Sequence, residues 1–384
     1  MSELSYLEKL LDGVEVEWRN LGDTSLFEIA NNGRKPVKAS LRIAGETPYY
    51  GANNIQDYVD GYTHDGEYVL IAEDGSASLE NYSIQYATGK FWANNHVHVV
   101  RGKERVHSRF LYHYLCIVNF LPFLTGGGRA KLTKGQLIEI PVPIPCPDNP
   151  EKSLAIQSEI VRILDKFTAL TAELTAELNM RKKQYNHYRD QLLSFEDGEV
   201  EWKTLEDLGE NLDSKRKPIT SGLREAGSIP YYGASGIVDY VKDYIFDGDF
   251  LLISEDGANL LARNTPIAFS ISGKSWVNNH AHVIKFDSYA ERRYVEYYLN
   301  SIDLSPYISG AAQPKLNKKN LESIRIPNPS PEDKKRIVSI LDKFDALTNS
   351  INEGLPREIE LRQKQYEHYR DLLFSFPKPE AASN

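Results

Sequence analysis

With 384 residues, 41 % of them hydrophobic and 26 % charged, the chain has the composition of a soluble globular protein long enough for two or more domains, each with its own core. No apolar run approaches the roughly 20 residues of a membrane span, and the opening MSELSYLEKLLDG lacks the basic and apolar regions of a signal peptide. A net charge of −9, from 45 basic and 54 acidic residues, argues against non-specific coating of nucleic acid but allows a local basic face on an acidic remainder.

Taken along the chain, residues 1–147 read as strands. Short runs such as EYVLIAE and HVHVV are bounded by Gly, Asp and Asn turns, with one helical patch late, RFLYHYLCIVNFL (109–121). Cys116 and Cys146 form no CxxC and no disulfide framework, which suits a reducing cytoplasm, the expected location. At Asn149–Pro150–Glu151 a cap residue, a proline and an early acid open a long helix over 148–195. In it Ile160, Phe167, Leu174 and Tyr188 fall at multiples of seven. Leu164, Leu178, Tyr185 and Leu192 form a second row four residues on, the pattern of a coiled-coil seam.

From residue 196 the chain repeats itself. YYGANNIQDYV (49–59) returns as YYGASGIVDYV (231–241), DGEYVLIAEDG (65–75) as DGDFLLISEDG (247–257), and WANNHVHVV (92–100) as WVNNHAHVI (276–284). ILDKFTALT returns as ILDKFDALT, and RKKQYNHYRDQLLSF as RQKQYEHYRDLLFSF. A period of about 180 residues is too long for a solenoid and means two copies of a whole domain-plus-helix unit. The second globule, of the same mixed α/β or α+β class, covers 196–329. The second helix covers 330–376, opening on Ser330–Pro331–Glu332–Asp333, and 377–384 is a tail. Ile337, Phe344 and Ile351 with Leu341, Leu355 and Tyr369 repeat the seam, while Gly354 and Pro356 should kink or interrupt it. Helices of about 40 residues, about 60 Å long, cannot stand alone. The expected assembly is an antiparallel pair of helices separating two globules, with approximate two-fold symmetry.

Catalytic motifs are missing: no GxxxxGK[ST], GxSxG, GxGxxG or methyltransferase tetrad occurs. The glycine-rich TGGGRAKLTKG (125–135) does not follow a strand and open a helix as a phosphate cradle would. His96/His98 and His280/His282 form two His-x-His pairs, the mark of a double cupin-like metalloenzyme if both rings of a pair point one way on a strand. That fold needs a nearby acid and a further histidine. Glu104 comes too late, and His64 has become Phe246. The preferred reading places these imidazoles on a buried strand face, bonded to the preceding Asn pair, with no metal. The acids of the EDG turns (Glu73–Gly75, Glu255–Gly257) are sufficiently explained by turn chemistry.

Basic, turn-rich segments recur at matching places and suit nucleic acid better. Arg34 and Lys35 match Lys215, Arg216 and Lys217, while Arg129, Lys131 and Lys134 match Gln313, Lys315, Lys318 and Lys319. Lys90 and Lys274 add a further basic pair, and the amide-rich turns contribute Asn53 and Asn54 against Ser235. A helical-stem adaptor that binds only protein is the other alternative.

The whole pattern resembles the specificity subunit of a type I restriction–modification enzyme. The resemblance rests on GGRAKLTKGQLIEIPVPIP and GAAQPKLNKKNLESIRIPNP, each followed by a helix containing ILDKF and QYxHYRD. The turn before each helix departs from the family's wording, with PCPDNPEKSLAIQ and PNPSPEDKKR. The resemblance implies a non-catalytic subunit that binds a bipartite DNA sequence, one half per globule, and docks two methylation subunits and the restriction subunits. S-adenosylmethionine, ATP and Mg are then expected on those partners, with no cofactor in this chain. The tetrapeptide Thr-Ala-Glu-Leu, present twice at 171–178, is in that family a spacer gauge. Thr171, Leu174, Thr175 and Leu178 are accordingly the expected spacer-setting residues.

Overall fold

A computed structural model describes residues 10, 13–126, 130–196, 198–310, 313–350 and 353–376. The chain divides into two compact units. Unit 1 comprises Met1–Leu174 and Ile359–Asn384, and unit 2 comprises Thr175–Glu358. No helix among the described residues is long and apolar enough to cross a membrane.

In unit 1, β1 (Val16–Asn20) and β10 (Pro141–Pro145) form a two-stranded antiparallel ladder. The alternate prolines of PVPIP are tolerated because this pair lies outside the main sheets, while Val142 and Ile144 between them are buried. Strands β2 (Phe27–Ile29), β9 (Val97–Gly102), β6 (Tyr68–Ala72) and β7 (Ile84–Ala87) form one sheet in the order β2-β9-β6-β7. A second sheet, in the order β4-β3-β8-β5, contains β3 (Ala44–Tyr50), β4 (Ile55–Val59), β5 (His64–Asp65) and β8 (Lys90–Ala93). β6 is buried along its whole length, and its two-residue alternation serves two cores. Val69 and Ile71 face the larger core, which includes α1 (Ser108–Leu115), and Tyr68 and Leu70 pack with Phe91, Val97 and Val99 on the opposite side.

In unit 2 the corresponding strands form one sheet, in the order β12-β17-β15-β16-β13-β14. The strands are β12 (Glu210–Asn211), β13 (Ala226–Gly233), β14 (Gly236–Val241), β15 (Phe246–Ser254), β16 (Ala268–Val277) and β17 (Ala281–Lys285). β15 and β16 run unbroken where unit 1 has two shorter strands each. The recurring Asp-Gly carries a shared backbone conformation, since Gly66 and Gly248 have φ of 131° and 136°, which glycine adopts at little cost because it has no β-carbon. β11 (Glu201–Thr204) pairs with β18 (Arg325–Asn328) as β1 does with β10.

The helical segments complete both cores. α3 (Pro150–Leu193) is continuous over 44 residues, with the Asn149 side chain accepting a hydrogen bond from the Lys152 N–H at 3.0 Å. The second segment is interrupted as Gly354 requires. α8 (Pro331–Thr348) stops, and α9 (Gly354–Leu373) begins on a glycine with φ 75°. Ile351 lies outside the described residues. Expected seam residues meet within each unit: Phe167 stacks on Tyr369 at 5.2 Å in unit 1, and Tyr188 on Phe344 at 5.7 Å in unit 2. The repeated ILDKF also acquires a role. Its aspartate ties helix to globule, Asp165 accepting from Arg109 (2.9 Å) and standing 2.7 Å from His113 in unit 1. In unit 2, Asp342 accepts from Tyr289 (2.8 Å), Arg293 (3.1 Å) and Tyr297 (2.7 Å) of α6 (Tyr289–Ser301).

Candidate nucleic-acid interface

At one end of the main strands of each unit, turns distant in sequence are drawn together by the same set of charges. In unit 1 the guanidinium of Arg34 donates to Glu73 (2.6 Å) and to the Val97 carbonyl (2.8 Å), while Lys131 Nζ stands 3.1 Å from Glu73. In unit 2 Arg216 donates to Glu255 (2.6 Å) and to the Ala281 carbonyl (2.9 Å), with Lys315 Nζ at 3.1 Å from Glu255. Burial raises the Glu73 and Glu255 carboxyls, but the bonds from these cations outweigh it and hold both below their ordinary value. The EDG acids therefore do more than shape a turn. Each glutamate anchors the arginine and lysine of the two expected basic segments.

The His-x-His pairs are split, which overturns the picture of two rings sharing one strand face. His98 and His282 are fully buried, and each contacts a carbonyl through Nε2, that of Leu132 or Leu316, at 2.7 Å. His96 and His280 precede the strands, and their rings turn outward to Asp74 and Asp256. Of each Asn pair the first, Asn94 or Asn278, contributes through its side-chain oxygen, which accepts the backbone N–H of His96 or His280 at 2.8 Å, not through the rings. Asp213, Glu255 and His282 present three possible metal ligands within 4.8 Å of one another. Arg216 already stands against both carboxylates, at 2.6 Å and 3.3 Å, and supplies the positive charge an ion would bring.

The buried histidines differ in one partner. Asn31 Nδ2 lies 2.9 Å from His98 Nδ1, so that nitrogen accepts and Nε2 carries the proton. In unit 2 Asp213 replaces the asparagine, 2.6 Å from His282 Nδ1, an arrangement suited to a ring that donates from both nitrogens. Burial holds His98 below its ordinary value, outweighing the Leu132 carbonyl and Glu73. A base with a depressed folded value binds its proton better when unfolded. Its contribution to unit 1 is thus present above about pH 6.5 and lost as pH falls below it. His113, also lowered by burial, acts in the same direction. Asn31→Asp is expected to raise the His98 titration and to reduce the acid sensitivity of unit 1. A ¹³C-labelled histidine titration reads this, and an unmoved His98 would contradict it.

Most of the expected basic residues lie on the surface. Lys35, Lys215, Lys217, Lys131, Lys134, Lys315, Lys318 and Lys319 are exposed, as are Asn54, Ser235 and Gln313. Lys90 and Lys274 are exposed above Tyr62 and Tyr244, at 4.8 Å and 4.5 Å from the ring centres. Asn53 is tied down, donating to the Gly75 carbonyl (2.8 Å) and accepting the Ala77 N–H (2.9 Å). Arg34 and Arg216, with side chains 18 % and 13 % exposed, belong to the internal framework. Arg129 lies outside the described residues. Thr171 and Leu174 occupy the unit 1 portion of α3, and Thr175 and Leu178 the unit 2 portion. Both leucines are half-buried.

Residues 14–181 and 198–361 each match the family model described as the type I restriction modification DNA specificity domain. The chain is 46 % identical, over 97 % of its length and 98 % of the relative's, to a putative type I restriction enzyme specificity subunit of Haemophilus influenzae. It is 40 % identical over the full length of both chains to the EcoR124I/EcoR124II specificity subunit of Escherichia coli. The chain belongs to the type I restriction–modification specificity subunit family. Among solved structures, a type I S subunit from M. genitalium shares the fold with a TM-score of 0.65 at 15 % identity, covering 96 % of this chain and 98 % of that one. As a specificity subunit with two matched domains, the chain carries one candidate interface per domain.

Proposed function

We propose that each unit reads one half of a bipartite duplex target, and that the helical segments set the unread spacer between the halves. The observation that carries this is the doubled loop cluster. Exposed lysines suited to phosphate surround amide-bearing turns suited to base edges, on the same strand ends in both units. In this reading the chain is non-catalytic. Methylation subunits bring S-adenosylmethionine, restriction subunits bring ATP and Mg, and both dock on this chain, the helices pairing antiparallel with approximate two-fold symmetry. Because the two globules are close relatives in sequence, an inverted arrangement on the duplex makes the target a near-palindrome. Mapping methylated adenines in DNA from cells expressing the full complex tests this: two related half-sites on opposite strands are expected, and two unrelated half-sites would refute it. The half-sites should diverge where the loops do, at Asn53–Asn54 against Ser235–Gly236 and at 76–90 against 258–274.

A further inference from the structure

We propose that the outward-facing pairs Asp74–His96 and Asp256–His280 each read one G·C base pair, the same position in each half-site. The proposal rests on the reading that each unit binds one half-site. Both pairs are held from within. His96 Nδ1 is 2.5 Å from Asp74, and His280 Nδ1 is 2.9 Å from both oxygens of Asp256. The backbone fixes each turn, since the Glu73 N–H donates to the His96 carbonyl at 2.8 Å and the Glu255 N–H to that of His280 at 2.9 Å. Each aspartate is further bridged to the lysine segment, Asp74 with Lys131 and Asp256 with Lys315.

An exposed ion pair ordinarily contributes little because two mobile side chains must be ordered to form it. Here the turns that carry the side chains are fixed from behind, yet the histidines remain 49 % and 51 % exposed. Nε2 of each ring has no partner among the described residues. In its imidazolium form that nitrogen donates to guanine O6 or N7, and an aspartate oxygen accepts from the N4 amino group of the paired cytosine. The half-exposed Lys131 and Lys315 provide the adjacent phosphate contact. In unit 2 the pair opens into a groove of about 910 Å³ that Gln313 and Leu261 also line.

What surrounds the pairs differs between units. Unit 1 has Asn53 bonded across to 75–77, and unit 2 has the short helix α5 (Asn259–Ala262). A common reader with divergent neighbours predicts half-sites that share one base pair and differ beside it.

The test uses the full chain assembled with its methylation subunits, selecting duplexes from a library randomised in both half-sites. The unmodified complex should select the same G·C pair at equivalent positions of the two halves, and different pairs there would overturn the proposal. His280→Ala and Asp256→Asn should each lower discrimination at that one position by about 5- to 150-fold, leaving the other half-site and the spacer intact. Preference unchanged everywhere, weakening uniform over all sequences, or the two variants relaxing different positions would overturn it. Asp256→Asn keeps the side-chain shape and carries the test should His280→Ala unsettle the fold. An unmodified complex that selects no two-part sequence would instead sink the functional reading on which the proposal rests.

Discussion

Arg216→Ala is expected to destabilise unit 2 by about 3–5 kcal/mol, the cost of stranding a buried partner charge. Asp213 and Glu255 have side chains only 7 % and 11 % exposed, and both face this guanidinium. His282 and Lys315 offset part of the charge, but neither replaces the bond to the Ala281 carbonyl. For a domain of this size the melting temperature should fall by about 6–20 °C. The Asp213 carboxyl is raised by burial, but His282, the Val283 N–H and Arg216 together outweigh it and hold its value below the usual aspartate range. Its stabilisation is therefore present at neutral pH and is lost only as pH falls below about 3.9, which places the defect of the variant at neutral pH. Arg34→Ala should cost less, because the neutral Asn31 leaves one carboxylate, Glu73, to be stranded. Calorimetry of the full chain and both variants decides this; equal losses in the two units, or a loss under about 1 kcal/mol for Arg216→Ala, would contradict the network described.

Deleting Thr175–Leu178 is expected to shorten the recognised spacer by about one base pair with both half-sites unchanged. Four helical residues correspond to about 6 Å and to a net rotation of about 40°. Duplex DNA turns about 35° per base pair. The deletion removes a whole copy of the tetrapeptide, so Leu170 and Leu174 keep their places and the helix loses length rather than pattern. The cut falls at the division between units, immediately after Leu174, inside a helix that runs unbroken to Leu193. Comparing methylated sites in cells carrying the full and shortened chains reads the spacer directly. Altered half-sites with the original spacer would refute the role assigned to the repeat.

The duplication, the helix starts and the break at Gly354 were legible because each is written locally, in repeats, caps and a glycine. The Arg34–Glu73–Lys131 framework was not, since its members are separated by 39 and 58 residues and no local pattern joins them. A signal did exist. Arg34, Glu73, His98 and Lys131 all recur in the second copy, and the partner on the buried histidine's Nδ1 changes from Asn31 to Asp213. The split of each His-x-His pair escaped a rule of strand alternation because His96 and His280 lie in turns ahead of β9 and β17. Asp165 and Asp342 were visible only as letters of a repeat, and their ties to α1 and α6 needed coordinates.

The core of unit 1 includes Leu373, Phe374 and Phe376, packed with Phe110, Ile160 and Leu164. Leu373, Phe374 and Phe376 leave the ribosome about 200 positions after Leu174. At roughly 5–20 residues per second the first globule waits on the order of 10–40 s for the segment that covers it. Unit 2, with its core drawn from Leu193 to Leu341, closes first although it is made second. The order in which the two units are made and the order in which their cores are completed are thus reversed.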